Sequence, residues 1–101
     1  MKLFIDTSKR NEVKVAIEVK KKVYKKTVKN VQSQNVLKLI DQLLKEKKFK
    51  LRDISEIKVN TGPGSFTGLR VGISVANALG YSLKIPVNGK PAGQVHPIYE
   101  K

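Results

Sequence analysis

The chain has 101 residues with a formal charge of +13, 40% hydrophobic residues, one histidine and no cysteine; this leaves room for one core and excludes disulfides, thiolate ligands and a typical zinc site. Apolar runs such as KLFI and LKLI fall far short of the roughly 20 residues that span a bilayer, and MKLFIDTS lacks the apolar segment and cleavage site of a signal peptide. A metal-free cytoplasmic protein without a membrane segment is the expectation.

Eighteen of the 21 basic residues are lysines, and only Arg10, Arg52 and Arg70 are arginines. Such a surface attracts phosphate backbones and other anions over about a Debye length. The lysines of VKKKVYKKTVKN and LKEKKFKLR, however, lack the arginine forks and interleaved aromatics of sequence-reading nucleic-acid proteins. A plain solvated lysine surface is the simpler reading, and a lysine-rich RNA-binding module stands as an alternative.

In chain order, KLFIDTS predicts a short buried strand ending in a polar turn at Asp6, Thr7 and Ser8. EVKVAIEV alternates, with Val13, Val15, Ile17 and Val19 on one face, the period of a half-buried strand. Lys20, Lys21 and Lys22 make a charged turn, and VYKKTV is the return strand. From residue 33 the period changes: Val36, Leu37, Ile40, Leu43 and Leu44 follow the spacing of one helical face, predicting a helix over 33–48. Asp53 opens a short turn, EIKVNT supplies a fourth strand, and a second helix over 67–83 is capped by Ser65 or Thr67. IPV makes a brief fifth strand, NGKPAGQ a connector, and VHPIY a last extended piece with Pro97 tolerated only at an edge. The result is an α/β domain with a mixed sheet and two helices.

TGPGSFTGLRVGISVANALG poses the main question. Strand, glycine loop and helix is a layout that holds anions, yet no lysine followed by Ser or Thr closes the loop, and the spacing of Gly62, Gly64 and Gly68 is not GxGxxG. A tight turn is the simpler alternative, with Pro63 fixing φ and Gly62 or Gly64 taking positive φ. Within the helix, Gly68, Gly72, Ala76 and Gly80 recur every four residues as a side-chain-poor stripe, although each interior glycine costs about 1 kcal/mol relative to alanine. Close packing compensates, either against a partner helix, with Leu69, Ile73 and Leu79 widening the contact, or against the chain's own sheet or first helix. Asp6, Thr7 and Ser8 read either as an anion or magnesium site or as a capped turn. With no second suitably spaced acid and no usable histidine partner, neither an acid–base pair nor a nucleophile triad can be assembled. No catalytic residue, metal or cofactor is expected.

GPGSFTGLRVGISVANALGYSLKIPV resembles the signature segment of the TsaB (YeaZ) family of bacterial tRNA N6-threonylcarbamoyladenosine synthesis. FIDTS is similar to that family's opening strand and SQNVLKLIDQLLKE to its first helix, so the likeness covers residues 2–89. The resemblance implies a single actin-like, ribonuclease H-like half-domain of order βββαβαβ over 1–89, with 90–101 as a connector and extended tail. It implies a non-catalytic partner of TsaD, the subunit that transfers threonylcarbamoyl to an adenosine of tRNAs reading ANN codons. The ATPase TsaE completes the assembly, and tRNA contact is indirect or weak. The family's two helices pair with equivalent helices of TsaD, or with themselves as a homodimer when TsaD is absent. Carried over, the interface comprises Val36, Leu37, Ile40, Leu43, Gly68, Leu69, Gly72, Ile73, Ala76 and Gly80, and Asp6, Thr7, Ser8, Gly62, Gly64 and Ser65 form a vestigial anion site. The resemblance reaches no counterpart of the family's second half-domain in this sequence, and a natural minimal form is the expectation, with a fragment of a longer protein as the alternative. Gln32 stands where the family histidine is expected, Thr61 where an arginine often precedes the loop, and Asn77 where a lysine is usual. A phosphate-handling enzyme using Asp6 and the 62–68 loop is the rival reading.

Overall fold

The computed structural model describes residues 1–29 and 35–98. Strands β1 (Lys2–Asp6), β2 (Glu12–Val19) and β3 (Lys22–Lys29) form an antiparallel meander, with Leu3 opposite Ile17 and Ile5 opposite Val15. Alternation along the strands puts Leu3, Ile5, Val13, Val15 and Ile17 on one face, and all five are buried. β4 (Glu56–Val59) pairs in parallel with β1, giving the order β3-β2-β1-β4. A parallel pair needs a crossover, supplied by helix α1 (Val36–Glu46) and a 3-10 turn at Leu51–Asp53. α1 packs over β2 and β3, and α2 (Phe66–Leu83) over β1 and β4. Both helices therefore cover the same face of the sheet and share one apolar cluster with it.

Helix α1 buries Val36, Leu39, Ile40, Leu43 and Leu44, whereas Leu37, expected on the same face, is 52% exposed. The predicted start at 33, like Gln32, lies outside the described residues. The chain reverses after α1 through Lys48, at φ 64, so that the Phe49 N–H reaches the Leu44 carbonyl at 2.9 Å and the ring packs against the core. Lys47 lies 4.8 Å from the centre of the Tyr24 ring, and Lys26 forms an ion pair with Glu46, tying α1 to the outer strand β3. Asp53 closes its turn by accepting the Lys50 N–H at 2.9 Å. Of the two predicted caps for α2, Ser65 is the one used: its hydroxyl oxygen accepts the Gly68 N–H at 3.4 Å.

The expected fifth strand is reduced to one bridging residue, Val87, beside Ile57. The Ile57 N–H donates to Pro86 (3.0 Å) and Asn88 donates to the Ile57 carbonyl (2.8 Å). Asn88 and Gly89 then take positive φ, 51° and 76°, and Val87 and Lys90 exchange two backbone bonds of 2.8 and 3.0 Å. Asn-Gly is a strong two-residue hairpin signal, so the chain turns back before a strand can grow. The Asn88 side chain continues the ladder in its place: Oδ1 accepts the Val59 N–H at 2.8 Å, and Nδ2 donates to the Val59 carbonyl at 2.9 Å.

Residues 90–98 hold no strand, but they are packed against α2 rather than trailing away. Val95 joins the core; Asn77 donates to the Val95 carbonyl (3.1 Å) and accepts the Gly93 N–H (3.0 Å). Ile98 donates to the Thr61 carbonyl at 2.6 Å.

Asn88→Gly keeps the positive φ relaxed and removes only the amide. It is expected to destabilise the domain by about 1–3 kcal/mol, because both polar groups of Val59 lose their partner. Thermal denaturation checks this, with a drop of several degrees expected and no drop counting against the role of the amide.

Candidate functional site

Three pieces of chain meet at the carboxyl end of β1: the turn after it, the glycine loop, and the first turns of α2. Asp6 Oδ1 accepts both the Ser8 N–H (2.9 Å) and the Ser8 hydroxyl (2.6 Å), a capped Asx turn. Burial pushes the Asp6 carboxyl up, but the two Ser8 bonds, Asn60 and the charge of Lys14 together hold it below its ordinary value of 3.8. Ser8 also receives a bond from Asn60 Nδ2 at 3.3 Å, and its carbonyl accepts the Ser65 N–H at 2.8 Å. The Gly62 N–H is taken by Asn60 Oδ1 at 2.9 Å, and the bond between Gly62 and Pro63 is cis.

Asp6, Thr7, Ser8, Gly62, Gly64 and Ser65 are thus brought together as the anion reading expects. Their bonds run to one another, however: the N–H groups of Ser8, Gly62, Ser65 and Gly68 all have protein acceptors. Gly64 lies flat on the turn, where a Cβ would come within 2.6 Å of the Ser8 carbonyl oxygen and 2.8 Å of its Cβ. His96 is exposed, and among the described residues no group of three His, Cys, Asp or Glu side chains is placed to hold a metal.

Thr7 is the residue whose role the sequence did not single out. It is 0% exposed, and its hydroxyl donates to the Gly68 carbonyl at 2.6 Å. At Gly68 a Cβ would collide with the Thr7 carbonyl; at Gly72 it would collide with the Thr7 hydroxyl oxygen and lie 3.3 Å from its Cβ. One turn before the helix end, a Cβ on Gly80 would come within 2.6 Å of Val87 Cγ2. The small-residue stripe is therefore filled by this chain's own strand end and hairpin. The expectation that Gly68, Leu69, Gly72, Ile73, Ala76 and Gly80 face a partner is corrected on this point, since all six are buried in the domain. Val36, Ile40 and Leu43 are likewise core residues, and of the expected interface set only Leu37 is exposed.

Opposite the stripe, α2 presents Thr67, Ser74 and Ala78 to solvent, with Val71 and Val75 half-buried beside them. Thr67, Val71, Ser74 and Ala78 follow the i, i+4, i+7, i+11 spacing of one helical face. This second row of short side chains was legible in the same segment but is masked by the glycines. Beside Leu37, a groove of about 700 Å³ is bordered by Ile40, Asp41, Leu44, Phe49 and Leu51.

The sheet order and the placement of both helices define an actin-like, ribonuclease H-like half-domain. The family described as TsaD, tRNA N6-adenosine threonylcarbamoyltransferase, matches residues 25–96. The tRNA threonylcarbamoyladenosine biosynthesis protein TsaB of Buchnera aphidicola is 37% identical over 89 residues, 86% of this chain and 42% of its own length. TsaB of Escherichia coli is 35% identical over 57 residues, covering 56% of this chain and 25% of its own. The solved structure of YeaZ from Pseudomonas aeruginosa superposes with a TM-score of 0.80 at 30% identity, over 85% of this chain and 40% of that one. The chain belongs to this threonylcarbamoyltransferase-related family and, within it, to the TsaB (YeaZ) group. It spans about two fifths of the length of the Buchnera and Pseudomonas relatives.

Because Gly72 abuts Thr7, Gly72→Ala is expected to destabilise the fold despite the roughly 1 kcal/mol gain in helix propensity; overpacking of this kind costs typically about 1–3 kcal/mol. Urea denaturation reads the sign, and a more stable variant would refute the close contact. A second expectation concerns pH. Since the folded Asp6 carboxyl lies below 3.8, its contribution is complete above that ordinary value and is lost as pH falls through the depressed one. The stability difference between the parent and Asp6→Ala should be open at neutral pH and shrink on acidification below about 3.8, as acid titrations of both proteins would show.

Proposed function

We propose that this domain is a non-catalytic subunit that supports a TsaD-type threonylcarbamoyltransferase in forming N6-threonylcarbamoyladenosine in tRNA. The proposed docking surface is the outward side of α1 and α2. The observation that carries the reading is the exposed row of short side chains on α2, Thr67, Ser74 and Ala78 with half-buried Val71, beside exposed Leu37 on α1. Short side chains let a second helix approach closely, as ridges fit into grooves, and the two helices lie side by side on one sheet face. In this reading a partner presents a comparable helix pair, either a TsaD-type subunit or, in its absence, a second copy of this chain. The family relationship supports the pathway, and the spent hydrogen bonds around Asp6 and Ser8 favour a structural rather than a chemical role for that turn.

Ala78→Glu places a long charged side chain on the exposed row without touching the core. It is expected to leave the melting temperature within about 2 °C of the parent, as surface substitutions do. Affinity for the host's TsaD should fall at least about tenfold, the equivalent of about 1.4 kcal/mol, by analytical ultracentrifugation of the purified pair. Unaltered association would place the docking surface elsewhere. Unchanged threonylcarbamoyladenosine in tRNA from cells depleted of the protein would reject the functional reading as a whole.

A further inference from the structure

Six residues other than glycine adopt left-handed backbone conformations among the described residues: Asn11, Lys20, Lys21, Lys48, Lys84 and Asn88. Asparagine is a customary occupant of that region and lysine is not. The four lysines also gather at one end of the domain. Lys20 and Lys21 form the turn between β2 and β3, where Val19 faces Lys22. Lys2 at the start of β1 faces Glu18 on β2 and Glu56 on β4, which puts that turn and the beginning of β4 at the same sheet end. Lys48 follows α1 at the end where Lys47 covers Tyr24, and Lys84 follows α2 just before Pro86 bonds to Ile57. At positions where Asn-Gly or a single glycine gives a relaxed turn, this end carries lysine each time.

Of the four acids at this end, Glu18 stands opposite Lys2 in the β1–β2 pair, and the other three are engaged. Glu46 pairs with Lys26, Glu56 with Lys2 at 3.8 Å, and Asp53 caps its own turn. The four turn lysines straddle a sheet of four strands, roughly 15 Å at about 4.8 Å per strand, enough for several successive phosphates. Tyr81, 81% exposed and one turn before Lys84, offers a ring to an unpaired base. We infer that this end of the domain is a binding site for the phosphodiester backbone of a folded RNA. Its four lysines lie in turns beyond the strand and helix ends, and Tyr81 alone is shared with the outward side of α2.

The backbone geometry supplies a test in which folding and binding move in opposite directions. A variant with Lys20→Asn, Lys21→Gly, Lys48→Gly and Lys84→Gly suits every turn while removing four charges. A control with Lys9→Gln, Arg10→Gln, Lys29→Gln and Lys38→Gln removes the same charge from exposed positions at the opposite end. Fluorescence anisotropy with a labelled RNA stem-loop over a salt series is the measurement, and melting curves accompany it. The turn variant is expected to melt at or above the parent, to bind about tenfold or more weakly near 0.1 M salt, and to lose about 3 units from the slope of log K against log salt. The control should lose less than about threefold. Equal losses in both variants, full affinity in the turn variant, or a parent that binds anionic phosphatidylserine vesicles but not the RNA would each overturn the inference.

Discussion

The methyl and hydroxyl of Thr7 set the spacing between the sheet and α2. Because the side chain is buried and its hydroxyl is bonded to the Gly68 carbonyl, the helix must approach β1 to near backbone contact, and only glycine fits at 68 and 72. The loop leading into the helix is drawn in by the same contact and settles on the Ser8 carbonyl, where Gly64 is required for the close fit. Asp6 holds the other side of the turn. Two interior glycines weaken the helix by about 1 kcal/mol each. The buried hydrogen bond and the packing of Leu69 and Ile73 into the core offset that loss.

This arrangement explains why a segment that looks like a ligand loop holds no open cradle of N–H groups at Ser8, Gly62, Ser65 and Gly68. The Ser65 N–H is taken by the Ser8 carbonyl and the Gly68 N–H by the Ser65 hydroxyl, so these donors are spent within the protein. It also separates the two small-residue rows of α2. The glycine row is an internal seam, while the row containing Ser74 and Ala78 remains on the surface. A domain whose two helices lie on one sheet face has an outer helical surface by construction, and short side chains there leave it open to helix packing.

The opposite sheet face is solvated, as antiparallel sheets allow. Phe4, Ala16 and Val23 border a depression of about 520 Å³ there, with Lys14, Lys25 and Lys58 around it. Charge is thus carried on the sheet face, the helix ends and the hairpin turns alike. What distinguishes the end near Lys2 is that lysine occupies backbone conformations that ordinary turn chemistry gives to glycine or asparagine.

Much of the architecture was legible in the sequence, because burial of one face imposes a period on the residues that form it. Alternation in EVKVAIEV marked β2, and the spacing of Val36, Ile40, Leu43 and Leu44 marked α1. The segment from Gly62 to Gly80 carried the family resemblance that the comparisons support. Local pattern also announced that α2 needed a close neighbour, since a glycine stripe is unfavourable without one. Which neighbour it was depended on contacts between residues far apart in the chain: Thr7 against Gly68 and Gly72, Val87 against Gly80, and Asn88 against Val59. The same holds for the fifth strand, which Asn88 and Gly89 cut short by turning the chain, and for Asn77, which ties down residues 93–95. Periodicity reports which side of an element is apolar, whereas the identity of the surface it meets is decided only when tertiary folding brings distant segments within van der Waals and hydrogen-bond range.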